Sequence, residues 1–253
     1  MTRSTAPGTR SRIRAAAESE WGALFRAIRD GVTGRGFAAI PMTLLATAAV
    51  LLFQALQSTA PGALMVERVG VVQASLPLWQ ELLRTPLSLF VPALDLPVWG
   101  AALQVFAVFG ISEITLGRWR TLAVAYLGSL AGTLYARTGV HLGPRDYFGL
   151  PYDDAFLRDA GPSAAVVALA VCIAWRYRAW WTGGAVVAAM VGEQLLLPNM
   201  AGAEHVSAIL CAVTIAGYSE LMGRSWVRTA RALHSAVAAE PLAEKVRRAR
   251  APA

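Results

Sequence analysis

The segment RDAGPSAA, residues 158–165, stands where a charged loop turns into an apolar run that continues to Ala174. The loop from Arg137 to Asp159 contains four aspartates, and the run from Ala164 onward contains only small and apolar residues. Ser163 therefore lies just inside the apolar run, directly after Gly161 and Pro162. Serine is common where helices pack in membranes, but a serine in this position can also be a nucleophile. The rest of the sequence bears on which of these two roles Ser163 has.

The composition is typical of a membrane protein. The chain has 253 residues, of which 56% are hydrophobic and 15% charged, and its mean hydropathy is +0.48. Soluble domains carry about 25% charged residues, and here the charges also avoid the long apolar runs. The net charge of +7 comes almost wholly from arginines at the ends of these runs, which indicates contact with the lipid bilayer and not with nucleic acid. Cys172 and Cys211 lie inside apolar runs without zinc-site spacing, so neither a metal nor another cofactor is expected.

Six apolar stretches predict an all-α, polytopic bundle of six transmembrane helices. Eighteen of the 23 basic residues lie in the two ends of the chain and in the turns after the second and fourth stretches. Because loops and tails rich in Lys and Arg are retained on the cytoplasmic side of a membrane, this distribution predicts a multi-pass protein of the cell membrane with both termini cytoplasmic. The sequence then divides into an Arg-rich N-terminal tail (1–36), a membrane domain (37–222) and a basic C-terminal tail (223–253). The six spans are expected at 37–57, 97–116, 119–136, 160–175, 180–197 and 204–222.

Two further segments have the pattern of helices that lie at a membrane surface. Residues 13–28 of the N-terminal tail form a short amphipathic pattern. Residues 76–90 are apolar, but prolines interrupt them and they are too short to span, so we expect an interfacial element anchored by Trp79.

A possible catalytic pair appears when the spans are placed side by side. The fourth and sixth spans run in the same direction, and Ser163 and His205 both lie within one helical turn of their starts. A histidine level with a serine can take the serine proton, so that the alkoxide attacks a peptide carbonyl. His205 alone could equally be a proton-relay or ligand residue, since ionisable groups within spans are costly and usually functional.

Other polar and small residues are assigned structural roles. Asp159 is expected to cap the N-terminus of the fourth span, because a carboxylate accepts from free N–H groups there. Glu113 is expected to cap the turn that holds Arg118 and Arg120. Gln194, with Glu193, is expected to bond the loop at 198–199. Gly128 and Gly132 form a small-residue face that predicts close helix packing.

These residues together resemble the rhomboid family, six-span intramembrane serine proteases with a Ser–His dyad. The resemblance covers about residues 37–222 and implies a serine endopeptidase that cleaves transmembrane protein substrates near the outer membrane face. It implies that Ser163 is the nucleophile, that His205 is the general base, and that Gly161 and Ala164 belong to the nucleophile loop. The matching patterns are Gly161-Pro162-Ser163-Ala164 for Gly-x-Ser-Gly, Glu204-His205 with Ala208 and Ala212 for the sixth span, and Glu113, Gly117 and Arg120 for Glu-x-x-x-Gly-x-x-Arg.

The chain also departs from the rhomboid pattern. Pro97 and Ala101 occupy the second-span positions where rhomboid proteases place a His and an Asn that help to hold the oxyanion. Losing one such donor typically costs a factor of about 10²–10³ in rate. The alternative is therefore a rhomboid-like pseudoprotease that binds transmembrane client proteins without cleaving them. A third alternative, a transporter with Glu193, Glu204 and His205 as a proton path, predicts an inverted repeat that the sequence does not contain.

Overall fold

The computed structural model describes residues 9–94 and 96–239, with side chains described as far as Met222. The described residues are almost entirely helical, and the only β pairing among them is an isolated antiparallel bridge between Val72 and Asp159. The predicted all-α class is therefore confirmed. The α-helices are α1 (Thr9–Arg35), α2 (Pro41–Gln57), α3 (Ala60–Gly70), α4 (Leu78–Ser88), α5 (Val98–Gln104), α6 (Gly110–Leu116), α7 (Arg118–Leu142), α8 (Ser163–Tyr177), α9 (Trp180–Leu196) and α10 (Met200–Ala239).

The chain divides into two compact units, residues 1–213 and 214–253. The first contains α1 to α9 and the start of α10, and it holds the residues of the candidate site described below. The second contains the remainder of α10 up to Ala239, and the rest of the predicted C-terminal tail lies outside the described residues.

Two helical segments among the described residues are long and apolar enough to cross a membrane. They are Val98–Leu116, in which the π-helical turn Val105–Phe109 joins α5 to α6, and Met200–Met222 of α10. A third is present if α1, with the 3₁₀ turn after it, and α2 form one span bent by 58°. The expected stretches for the first, fourth and fifth spans are helical, but α2, α8 and α9 have only 17, 15 and 17 residues. A straight span needs about 20 residues.

The N-terminal region is a long docked helix, although the sequence had suggested a tail with a short amphipathic segment. Within α1, the Trp21 indole N–H donates to Thr182 Oγ1 at 2.8 Å, and the buried Glu20 accepts from Thr182 N at 2.8 Å. Thr182 is in the first turn of α9, where backbone N–H groups have no acceptor in their own helix. Glu20 therefore caps α9 from a helix about 160 residues earlier in the chain.

Glu113 also caps a helix, but not the turn that the sequence suggested. Its carboxylate accepts from Met42 N at 3.1 Å, and from both Thr43 N and Thr43 Oγ1 at 2.8 Å. These N–H groups belong to the first turn of α2, so the expected cap of the turn at Arg118 and Arg120 is wrong. A negative charge at this end of α2 also interacts favourably with the helix dipole.

The turn between α6 and α7 depends on Gly117. Its φ of +85° lies in the left-handed region that favours glycine, and it lets α7 begin immediately at Arg118. Arg120 is exposed in the first turn of α7. The segment 76–90 contains α4, which is too short to span, and its Trp79 side chain is 64% exposed.

Replacing Glu113 tests its role as the cap of α2. E113A removes the acceptor of three hydrogen bonds, so the free energy of unfolding should fall by about 2–4 kcal/mol. E113Q keeps one oxygen acceptor and should lose less. Reversible unfolding of the purified protein in mixed micelles measures both values. Equal stability of E113A and the unsubstituted protein would show that the cap is unimportant.

Candidate active site

The candidate site is built where α7, α8 and α10 meet. A Cβ placed on Gly128 of α7 would lie 2.6 Å from the Cβ of Ala168 in α8 and 3.9 Å from the Cβ of Ala208 in α10. Ala168 and Ala208 are both fully buried. One turn along α7, a Cβ on Gly132 would lie 3.0 Å from the Cβ of Glu204. The predicted packing role of Gly128 and Gly132 is therefore confirmed, and it brings α8 and α10 together on one face of α7.

The contacts between α8 and α10 show that the two helices are parallel. Cys172 donates to the carbonyl of Ala212 at 3.6 Å, and one turn earlier Ala168 and Ala208 both face Gly128. Both pairs are offset by 40 residues. The same offset places Ser163 level with residue 203, so Ser163 and His205 differ by two residues, or about 3 Å, in position along the helix axis.

Ser163 is the first residue of α8 and is exposed. Gly161 produces the turn into the helix with φ +129°, and its N–H is used in a 2.9 Å bond to Ser88 O. The N–H groups of Ser163 and Ala164 belong to the first turn of α8, where no intrahelical acceptor exists, and no other backbone acceptor reaches them among the described residues. These two groups are therefore available to an oxyanion at the serine.

The imidazole of His205 lies in the first part of α10. Both ring nitrogens are buried, and neither has a hydrogen-bond partner among the described residues. The structure thus places Ser163 and His205 at one level on adjacent helices but forms no hydrogen bond between them. Catalytic hydrogen bonds are often long in unliganded enzymes and shorten only when substrate binds.

Asp159 does not cap α8. The N-cap position is Pro162, and no side chain bonds the free N–H groups of this helix end. The Asp159 carboxylate instead accepts from Thr133 Oγ1 of α7 at 2.8 Å, while its backbone pairs with Val72 at 2.9 and 3.1 Å. The expectation that Asp159 is a helix cap is therefore wrong, because this side chain faces α7 from the loop.

Several polar residues near this site were not identified from the sequence. Ser129, Thr133 and Arg137 recur every four residues and so lie on one face of α7. Arg137 forms a 3.0 Å ion pair with the buried Glu81 of α4. The four-residue spacing of these polar residues within an expected span could have identified them from the sequence. Their partners Glu81 and Asp159 could not be identified in this way, because they come from distant segments of the chain.

Of the two residues predicted to bond the loop before α10, the Gln194 side chain does so. Asn199 N donates to Gln194 Oε1 at 3.4 Å, and Asn199 Oδ1 accepts from Gly202 N at 2.8 Å, which caps α10. Among the described residues, no three His, Cys, Asp or Glu side chains are grouped so that they could hold a metal ion.

No known protein family, curated protein or solved structure matches this chain. The likeness to rhomboids therefore depends only on the sequence motifs around Ser163, His205 and Glu113.

The packing at Gly128 predicts an unusual response to alanine. Gly→Ala within a helix normally stabilises by about 0.5–1 kcal/mol. G192A in α9, where an added Cβ would meet nothing within 4 Å, should show this gain. G128A should instead destabilise the protein by about 1–3 kcal/mol, because its Cβ would overlap Ala168. Unfolding in mixed micelles compares the two variants. A stabilising G128A would contradict the three-helix contact.

Proposed function

We propose that this chain is a rhomboid-like, multi-pass protein of the cell membrane and that it acts as an intramembrane serine endopeptidase. Its helices would form a six-span bundle with both termini cytoplasmic, and its substrates would be transmembrane proteins cut near the outer face. The observation that carries the proposal is the shared level of Ser163 and His205 on the parallel helices α8 and α10. The charge distribution of the turns and tails supports the orientation.

The proposed reaction uses these residues in the order of a serine protease. His205 takes the proton of the Ser163 hydroxyl as Oγ bonds to the substrate carbonyl carbon. The N–H groups of Ser163 and Ala164 donate to the oxyanion of the tetrahedral intermediate. The C–N bond then breaks, and the leaving amine takes its proton from the imidazolium. Water, activated by the same imidazole, hydrolyses the acyl-enzyme and restores Ser163.

The helix N-terminus compensates in part for the missing oxyanion donors. Neither Pro97, which precedes α5, nor Ala101 within it has a side chain that donates a hydrogen bond. The first turn of α8 provides backbone N–H groups and the positive end of the helix dipole beside Ser163.

A second candidate is a pseudoprotease that binds transmembrane clients without cleaving them. It is favoured by the lack of a hydrogen bond between Ser163 and His205 among the described residues, and by the apolar side chains at 97 and 101. In this alternative the same bundle would hold a client helix, and Ser163 would have no enhanced reactivity.

A fluorophosphonate probe distinguishes the two candidates, because it modifies only an activated serine. The protease proposal predicts labelling of the full-length protein in membranes, with the modified peptide containing Ser163. S163A should abolish labelling, and H205A should reduce it at least a hundredfold because the general base is lost.

Two variants serve as matched controls. S207A removes a hydroxyl of α10 that only donates to Ala203 O at 3.0 Å, and H141A removes an exposed histidine. Both should be labelled as strongly as the unsubstituted protein. Equal labelling of H205A and H141A would exclude His205 as the base, and the absence of any labelling would favour the pseudoprotease.

A further inference from the structure

A second group of polar side chains lies between the start of α10 and the loop that leads into α8. Glu204 of α10 is 8% exposed and packs against Gly132, while Asp159 in the loop bonds the neighbouring Thr133. Both residues therefore contact the same turn of α7. Glu204 Oε1 has no hydrogen-bond partner among the described residues. The same holds for the hydroxyl of Ser129, which lies one turn before Thr133 on α7. Buried polar atoms are rarely left unpaired without a reason.

The charges of this group do not balance if every carboxyl is ionised. Glu81 is fully buried and pairs with Arg137, whose guanidinium also donates to Leu76 O at 2.7 Å. Thr133, which bonds Asp159, lies one turn before Arg137 on α7, and the adjacent Gly132 contacts Glu204. Three carboxylates would thus face one guanidinium. A buried unpaired carboxylate is costly, and such a group usually takes up a proton instead.

The neighbouring basic residues do not supply a second positive charge to these three carboxyl groups. Arg158 adjoins Asp159 in the chain, but its guanidinium pairs with Glu67 at 3.1 Å and with Gln57 at 3.0 Å. Arg84 of α4 donates to Glu67 O, Val71 O and Gln80. His205 follows Glu204 on α10, and its nitrogens are unpaired among the described residues.

We propose that Asp159 and Glu204 form a carboxyl pair that holds one proton between them and joins the loop before α8 to the start of α10. With one proton, one carboxyl donates and the other accepts. When both are ionised, the two like charges repel across the turn of α7 that contains Thr133. The pair is thus a proton-binding site that controls how firmly the two helix starts are held together.

This site is adjacent to both members of the proposed dyad but does not depend on their chemistry. Asp159 precedes Ser163 by four residues, and Glu204 precedes His205 by one. Protonation of the pair would therefore hold Ser163 and His205 at one level, whether or not Ser163 is a nucleophile.

The direction of the pH dependence follows from Asp159. Burial raises the pKa of Asp159 to about 6, from an ordinary value of 3.8. A carboxyl whose pKa is higher in the folded state binds more protons when folded, so its contribution to stability is lost as the pH rises through 6. Burial likewise raises the pKa of Glu81, although Arg137 opposes this effect.

Thermal unfolding of the full-length protein in detergent micelles, measured between pH 5 and pH 7.5, tests the pair. The melting temperature of the unsubstituted protein should fall by roughly 5 °C over this range. D159N and E204Q each remove one member of the pair while keeping its shape, and their melting temperatures should fall by clearly less than that of the unsubstituted protein, with Glu81 accounting for the remaining decrease. D153N makes the same change at an exposed position before α8 and should retain the full decrease.

Two outcomes would overturn the proposal. One is a decrease in D159N and E204Q as large as in the unsubstituted protein. The other is stabilisation by Na⁺ or Ca²⁺ at pH 7.5 and constant ionic strength that E204Q abolishes, because the site would then bind a metal cation in place of a proton. Neither outcome depends on fluorophosphonate labelling, so the two proposals can fail separately.

Discussion

Gly128 is the point at which three helices approach too closely for any side chain. The missing Cβ lets Ala168 of α8 and Ala208 of α10 both pack on α7, and Gly132 repeats the arrangement for Glu204 one turn away. Small residues are the usual means by which helices pack in membranes, where no hydrophobic effect drives them together. Because α8 and α10 share this face of α7, their residues are held in a fixed register, with Cys172 against Ala212 at the far end of the contact.

The register concentrates chemically active groups at the end of the bundle where α8 and α10 begin. Ser163 and the free N–H groups of α8 lie on one helix, and the unpaired imidazole of His205 lies on the other. Beside them are the carboxyl of Asp159, bonded to Thr133, and the side chain of the buried Glu204. Polar groups of this kind weaken a bundle unless they are paired, so their collection at one end favours a functional site over a purely structural one. Carboxylates far from this end have a different use, since Glu113 and Glu20 cap α2 and α9.

Sequence patterns predicted the features that depend on local periodicity and depth. The all-α class, the segment Val98–Leu116 and the packing glycines all follow from composition and spacing along one helix. Contacts between distant segments could not be predicted in this way. Glu113 was correctly judged structural, but its partner Thr43 is 70 residues away, and nothing local distinguishes that partner from the nearby turn. Asp159 has the ordinary pattern of an N-cap, but the fold turns its side chain towards Thr133.

The proposed dyad requires Ser163 and His205, which lie at one level on α8 and α10, to face one another. Disulfide formation in S163C/H205C, in membranes and with Cys172 and Cys211 both replaced by alanine, tests it directly, because a disulfide requires Cα atoms within about 7 Å. We expect this pair to oxidise readily, whereas S163C/L210C should not, since Leu210 is 64% exposed and lies more than one turn further along α10. Failure of S163C/H205C to cross-link in folded protein, or equal cross-linking of both pairs, would contradict the dyad.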